Sequence, residues 1–189
     1  MFSSVMNNRW VTALTVILTL FYPLAIWQGG KQIEPRWMAV LLLVLAATRL
    51  STFAISKLAR WSALCTLVLV GVAVWTNALL PLKLYPVLVN LAFLIGFAYS
   101  LSTSQSIIER FARMREPNFP EVAVAYTRRV TQVWCVFFVF NGGIACITAI
   151  WSSPEIWMLY TGFISYLLMG LLFVIEYLFR IRFKRLHHV

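Results

Sequence analysis

A pair of adjacent arginines is the strongest candidate for chemistry in this 189-residue chain. Arg128 and Arg129 stand directly before a long apolar segment, in the run Tyr126-Thr127-Arg128-Arg129-Val130-Thr131-Gln132-Val133-Trp134. A guanidinium group offers paired donors that fit a phosphate or a carboxylate. The simpler interpretation, which the sequence favours, is that both arginines set membrane topology and meet lipid headgroups. The residues predicted to contact a ligand or partner are Arg110, Arg113, Arg128, Arg129, Trp134 and Asn141.

Asn141 lies near the middle of the apolar segment that follows these arginines. An amide without a hydrogen-bond partner is costly inside a membrane, so we expect its side chain to face another helix. Small residues follow it at helical spacing and would allow a close approach between helices: Gly142, Ala145, Cys146 and Ala149. Helix packing is the favoured role for Asn141, and a substrate contact is the alternative.

Two carboxylates each stand four residues before an arginine. Glu176 precedes Arg180, an order and spacing that favour an ion pair on one face of a helix. We therefore expect an ion pair here rather than an intramembrane proton carrier. Glu109 stands in the same relation to Arg113 and is expected to be its partner on the surface.

The sequence contains no recognisable catalytic or metal-binding motif. Its only histidines, His187 and His188, lie in the C-terminal tail, away from any nucleophile. The cysteines Cys65, Cys135 and Cys146 fall in apolar segments and form no Cys-x-x-Cys pair. Glycine-rich phosphate loops and paired carboxylates are also missing. We therefore predict no catalytic residues, no metal and no cofactor.

The composition is that of a membrane protein. The chain is 61% hydrophobic and 12% charged, with a mean hydropathy of +0.83. Six apolar segments are long enough to cross a bilayer and leave no room for a separate soluble domain, so residues 1–189 form one transmembrane domain. The segments are 10–27, 37–55, 61–80, 85–101, 130–151 and 157–179.

Basic residues divide unequally between the two sides that such a bundle would have. Thirteen of the 16 lysines and arginines fall on the side that holds both chain ends, and the other side receives Lys31, Arg36 and Lys83. Basic residues near membrane spans stay in the cytoplasm during insertion, so both ends are expected to be cytoplasmic. The sequence thus predicts an all-α polytopic bundle of about six transmembrane helices. Because the net charge of +10 lies in short segments beside these helices, nucleic acid is not an expected partner.

The longest polar segment, residues 102–129, is expected to lie on the cytoplasmic face. Its first part, 104–114, places apolar side chains at helical spacing, with charged residues opposite. This pattern is typical of an amphipathic helix at a membrane surface. The apolar positions are Ile107, Ile108, Phe111 and Met114, and the polar positions are Glu109, Arg110 and Arg113.

The C-terminal half carries a recognisable series of motifs: 105–113 (QSIIERFAR), 126–134 (YTRRVTQVW), 137–142 (FFVFNG), 166–170 (YLLMG) and 176–177 (EY). This series resembles an uncharacterised bacterial inner-membrane protein family encoded within aryl-polyene (xanthomonadin-type) biosynthesis clusters. A more distant resemblance, through the spacing of Trp134, Phe137 and Phe138, is to the intracellular septation protein A family. The resemblance implies a multi-pass protein of the bacterial inner membrane and supplies no catalytic residues.

Three hypotheses for function follow. The favoured one is a non-enzymatic accessory protein that supports envelope-lipid or aryl-polyene synthesis, with membrane lipids, anionic headgroups or an acidic carrier protein as partners. The second is a small lipid or polyene transporter or flippase, with Asn141 facing an internal cavity. The third is a membrane acyl- or glycosyl-transfer enzyme that uses Glu109 or Glu176. The sequence leaves the oligomeric state open.

Overall fold

The computed structural model describes residues 57–115 and 119–187, together with Val40 and Leu43. The predicted segment 10–27, and all of segment 37–55 except those two residues, lie outside the described residues. Every regular element in the described ranges is helical, which confirms the all-α class for this part of the chain. The elements are α1 (Lys57–Thr76), α2 (Leu80–Lys83), α3 (Tyr85–Leu101), α4 (Ile107–Arg115), α5 (Glu121–Trp151), α6 (Pro154–Leu159), a π-helical turn (Tyr160–Ile164) and α7 (Ser165–His187).

Among the described residues, three helical stretches are long and apolar enough to cross a membrane. They have mean hydropathies of 1.8 to 2.1, and their lengths of 22, 31 and 30 residues exceed the roughly 20 that a bilayer core requires. These features are those of a membrane protein. The stretches are Leu80–Leu101, Glu121–Trp151 and Pro154–Phe183.

Helix bounds agree with the predicted segments at some ends and differ at others. Helix α3 covers residues 85–101, as predicted, and α5 ends at Trp151. However, α5 begins at Glu121 rather than at Val130, and α7 continues to His187 beyond the predicted end at Phe179. Hydropathy locates the end of an apolar segment, and a helix can extend beyond that end. Arginine, lysine and alanine are good helix formers, so a helix continues into such a polar extension.

Helix α1 ends earlier than the predicted segment 61–80. Its last residue is Thr76, and Asn77 has a φ of 50°, in the left-handed region. Asparagine tolerates this conformation better than most residues, and one such residue after a helix ends it.

The chain divides into two compact units. The first comprises residues up to Val89 together with Gly142–Phe163. Its core surrounds Trp157, which is fully buried and whose indole Nε1 donates a hydrogen bond to the carbonyl oxygen of Lys83 over 3.2 Å. The buried apolar residues of this core are Val70, Ala73, Leu82, Tyr85, Ala149 and Trp157.

The second unit comprises Asn90–Asn141 and the chain from Ile164 onward. Trp134 lies at the centre of its core and is 5% exposed. Its ring centroid lies 4.6 Å from that of Phe173 on α7 and 6.3 Å from that of Phe97 on α3. Aromatic contacts of this kind join three helices of the unit, with further packing from Val130 and Phe138.

Replacing Trp134 with alanine should strongly destabilise the protein. Removing a buried aromatic ring leaves a cavity that costs about 3–5 kcal/mol. Trp151→Ala is the matched control, because Trp151 is 75% exposed and its removal opens no cavity. Reversible unfolding of the purified protein in mixed micelles measures both changes. Equal losses for the two variants would contradict the assigned core.

Candidate functional site

The link between α3 and α4 is fixed by serine side chains. The hydroxyl of Ser100 donates to the carbonyl of Phe97 over 2.7 Å and accepts the backbone N–H of Ile107 over 3.0 Å. Ser106, which is 1% exposed, accepts the N–H of Glu109 over 3.4 Å and caps α4. The helix therefore begins at Ile107, three residues later than predicted.

Helix α4 contacts the rest of the second unit with only part of its apolar side. Ile108 packs against the cluster formed by Val130, Trp134 and Phe138. Phe111 and Met114 are 55% and 71% exposed, respectively. The predicted amphipathic helix is thus formed, and its exposed apolar residues suit a membrane surface.

Glu109 is buried, contrary to the prediction that it lies on the surface. It is 3% exposed, and its Oε1 lies 2.8 Å from Nε of Arg113. The expected pair is therefore formed, but it is not on the surface, and Glu121 and Val124 of the first turn of α5 line the same cleft as Glu109. The Arg113 guanidinium also lies over the ring of Phe119, at 5.3 Å from its centroid. A buried carboxylate requires a cationic partner, so the Glu109–Arg113 pair stabilises this part of α4.

An open cleft of about 440 Å³ adjoins the Glu109–Arg113 pair. The cleft lies between α4 and the start of α5, and its walls carry hydroxyl, amide, carboxylate and guanidinium groups. This cleft could not be predicted from local sequence spacing, because its walls come from separate parts of the chain. The residues that line it are Ser104, Gln105, Glu109, Arg113, Glu121 and Val124.

Besides Arg113, two more of the predicted ligand-binding arginines bind the protein itself. Arg110 donates from Nε to the carbonyl of Gln105 over 3.2 Å and from Nη2 to the hydroxyl of Thr103 over 3.1 Å. Arg128 donates from Nη2 to the carbonyl of Leu101, the last residue of α3. The final carbonyls of a helix have no intrahelical donor and attract cations. These arginines therefore close the end of α3 and the loop after it.

Arg129 differs from its neighbour. Its side chain is exposed, and it forms no hydrogen bond or ion pair with any residue that the structure describes. Of the two adjacent arginines, Arg129 is therefore the one whose guanidinium is available to a ligand.

Tyr126 joins the beginning of α5 to the end of α7. Its hydroxyl donates over 3.3 Å both to the backbone carbonyl of Glu176 and to Oε1 of the same residue. Its ring stacks on that of Phe183, with centroids 4.8 Å apart. Nε of Arg180 lies 3.5 Å from Oε1 of Glu176, which confirms the predicted ion pair. The sequence did not reveal Tyr126 as a third member, because it precedes Glu176 by 50 residues.

Asn141 faces another helix, as predicted. It is 3% exposed, and its Nδ2 donates to Oδ1 of Asn90 over 3.0 Å. Asn90 lies on α3 and is 9% exposed. Trp134, the remaining predicted contact residue, is part of the core described above. The buried hydroxyl of Thr131, also on α5, forms its hydrogen bond within its own helix, to the carbonyl of Thr127.

The described residues contain no group of three or more histidine, cysteine, aspartate or glutamate side chains that could hold a metal ion. No protein-family model, curated protein or solved structure matches this chain.

The hydrogen bond between Asn90 and Asn141 should appear as a coupling energy. Asn90→Ala, Asn141→Ala and the double variant form a thermodynamic cycle, and unfolding free energies in mixed micelles measure it. Hydrogen bonds between membrane helices contribute about 0.6 kcal/mol on average and up to about 1.7 kcal/mol. We expect a value in this range, because each single variant leaves a buried amide without this partner. Strict additivity would show that the bond does not join the helices.

Proposed function

We propose that this chain is a non-enzymatic accessory protein of the bacterial inner membrane that supports envelope-lipid or aryl-polyene synthesis. In this proposal about six helices cross the membrane, and both chain ends lie in the cytoplasm. The resemblance of residues 105–177 to the aryl-polyene family and the uneven distribution of basic residues support it.

One observation carries the proposal: cationic side chains gather at one end of the second unit. The two ranges of this unit, 90–141 and 164–189, contain nine basic and four acidic residues. The contacts of Arg128 with Leu101, and of Tyr126 with Glu176 and Phe183, bring the end of α3, the start of α5 and the end of α7 together. We call the exposed arginines here the basic surface: Arg110, Arg128, Arg129, Arg182 and Arg185.

Polar groups on the apolar helices bond mainly to one another, which supports an accessory role. Asn141 bonds to Asn90, and Glu176 is held by Tyr126 and Arg180. These contacts stabilise the bundle. We therefore assign the binding of a partner to the exposed arginines of the basic surface.

The chemistry of the basic surface suits an anionic partner at the cytoplasmic face. Anionic lipid headgroups and an acidic carrier protein both meet this requirement. The exposed guanidinium groups would attract either over about 8–10 Å at moderate ionic strength. Such a surface could hold a carrier protein close to the membrane where its cargo is transferred.

Charge reversal on the basic surface should abolish function in cells. A clean deletion strain is expected to show an altered envelope-lipid or pigment profile, which the wild-type chain restores. Arg128→Glu/Arg129→Glu should fail to restore the profile, because it repels an anionic partner. Arg128→Lys/Arg129→Lys is the matched control and should restore it, since lysine keeps the charge. Lipid and pigment profiling measures the outcome, with membrane levels of each variant checked by immunoblot.

Replacing Arg128 also removes its hydrogen bond to the last carbonyl of α3. The single variant Arg129→Glu keeps that bond and therefore tests the charge alone. It should weaken capture of a purified acidic carrier protein in detergent without lowering thermal stability. Full restoration of the profile by the double Glu variant, or unchanged capture, would refute the proposed surface.

A further inference from the structure

We propose that Lys83 and Glu155 bind the headgroup of a zwitterionic phospholipid, with its phosphate on the Lys83 ammonium and its ammonium on the Glu155 carboxylate. In the proposed topology these residues face the outside of the inner membrane, whereas the basic surface faces the cytoplasm. The inference therefore goes beyond the proposed function, because it concerns another class of lipid at the other face of the membrane.

Lys83 carries a buried cationic side chain. The residue is 9% exposed, and it forms no hydrogen bond or ion pair with the side chains in the part of the chain that the structure describes. Its ammonium nitrogen is not among the fully buried polar atoms that lack a partner, so a ligand can reach it. An ammonium group offers three N–H donors, and removing it from water is costly when nothing accepts them. This observation indicates an anionic group as the ligand.

Trp157 fixes the position of Lys83. The fully buried indole donates from Nε1 to the carbonyl oxygen of Lys83 over 3.2 Å. Nζ of Lys83 lies over the same ring, at 5.8 Å from its centroid. The face of the ring attracts a cation and leaves its N–H donors available to an anion. Because the backbone is bonded and the side chain is buried, little ordering is needed when a ligand binds.

Glu155 supplies the opposite charge. It is exposed and lies two residues before Trp157 in α6. Its carboxylate attracts Lys83 without forming a direct ion pair with it. One positive and one negative group thus stand near each other, and a carboxylate accepts several donors. A headgroup with a phosphate and an ammonium matches both charges, whereas Glu155 repels a headgroup that is only anionic.

Exposed tryptophans of the same unit indicate the depth of this site. Trp75 is 91% exposed at the end of α1, and Trp151 is 75% exposed at the end of α5. Indole groups at the ends of membrane helices prefer the headgroup layer. Lys83 follows shortly after α1 in the chain, and Glu155 follows shortly after α5. Both charged groups therefore belong to the layer in which lipid phosphates lie.

Native mass spectrometry of the full-length protein, purified in detergent, tests the proposal with three probes. Phosphatidylethanolamine is zwitterionic, phosphatidylglycerol is anionic, and diacylglycerol lacks the phosphate. Lys83→Met keeps a long apolar side chain over Trp157 and removes the ammonium. It should reduce phosphatidylethanolamine binding about tenfold, because a charge-assisted hydrogen bond is lost. Its binding of phosphatidylglycerol should stay within about twofold of the wild type, since that lipid meets the basic surface instead.

Two further variants separate charge from packing. Lys83→Arg keeps the cation and can bind a phosphate, so its phosphatidylethanolamine binding should stay within about twofold of the wild type. Glu155→Gln removes the repulsion of anionic headgroups and should raise the ratio of bound phosphatidylglycerol to phosphatidylethanolamine about threefold. Because Glu155 is exposed, this variant tests the site even if Lys83→Met does not fold.

Unchanged phosphatidylethanolamine binding in Lys83→Met, at equal thermal stability, would overturn the inference. Equal losses in Lys83→Met and Lys83→Arg would overturn it too, because packing rather than charge would then decide binding. An unchanged lipid ratio in Glu155→Gln would have the same consequence. Complementation of the deletion strain tests the proposed function separately. A chain that complements fully yet retains diacylglycerol as well as phosphatidylethanolamine would remove this inference alone.

Discussion

Polar groups on apolar helices must find hydrogen-bond partners within the protein, and this constraint organises the second unit. Asn141 on α5 bonds to Asn90 on α3, and Tyr126 on α5 bonds to Glu176 on α7. In a medium without water, each of these groups would be costly if left alone. The bonds therefore specify which faces of the three helices meet, and the aromatic cluster around Trp134 fills the space between them.

The arginines at the same end of this unit divide into two kinds. Arg110, Arg113 and Arg128 bind carbonyl, hydroxyl or carboxylate groups of the protein and so fix the loop and helix ends. Arg129 remains exposed, as do Arg182 and Arg185 near the end of α7. Because the bonds of the first group fix the loop and the helix ends, they also fix the backbone that carries the exposed arginines. A basic surface built in this way keeps its shape without a ligand, which lowers the cost of ordering on binding.

The sequence predicted those features that depend on local spacing. The bounds of α3, the Glu176–Arg180 pair and the inward position of Asn141 follow from hydropathy and helical geometry, which act within one segment. The sequence could not identify Asn90 as the partner of Asn141, or Tyr126 as the partner of Glu176, because these contacts join distant segments. Glu109 was predicted to lie on the surface because its own helix is amphipathic, whereas in the structure it is 3% exposed and lines a cleft together with residues from the start of α5. Partners on other elements, and not propensity, decide burial at such positions.

The central claim is that the linker after α3 and the linker after α5 lie on opposite sides of the membrane. Labelling with a membrane-impermeant thiol reagent in intact cells tests it most directly, in a chain whose three cysteines are first replaced by alanine. We expect the Ser152→Cys variant to react from outside the inner membrane, and the Ser102→Cys variant to react only after that membrane is broken. Labelling of Ser102→Cys in intact cells, or protection of Ser152→Cys, would contradict the account.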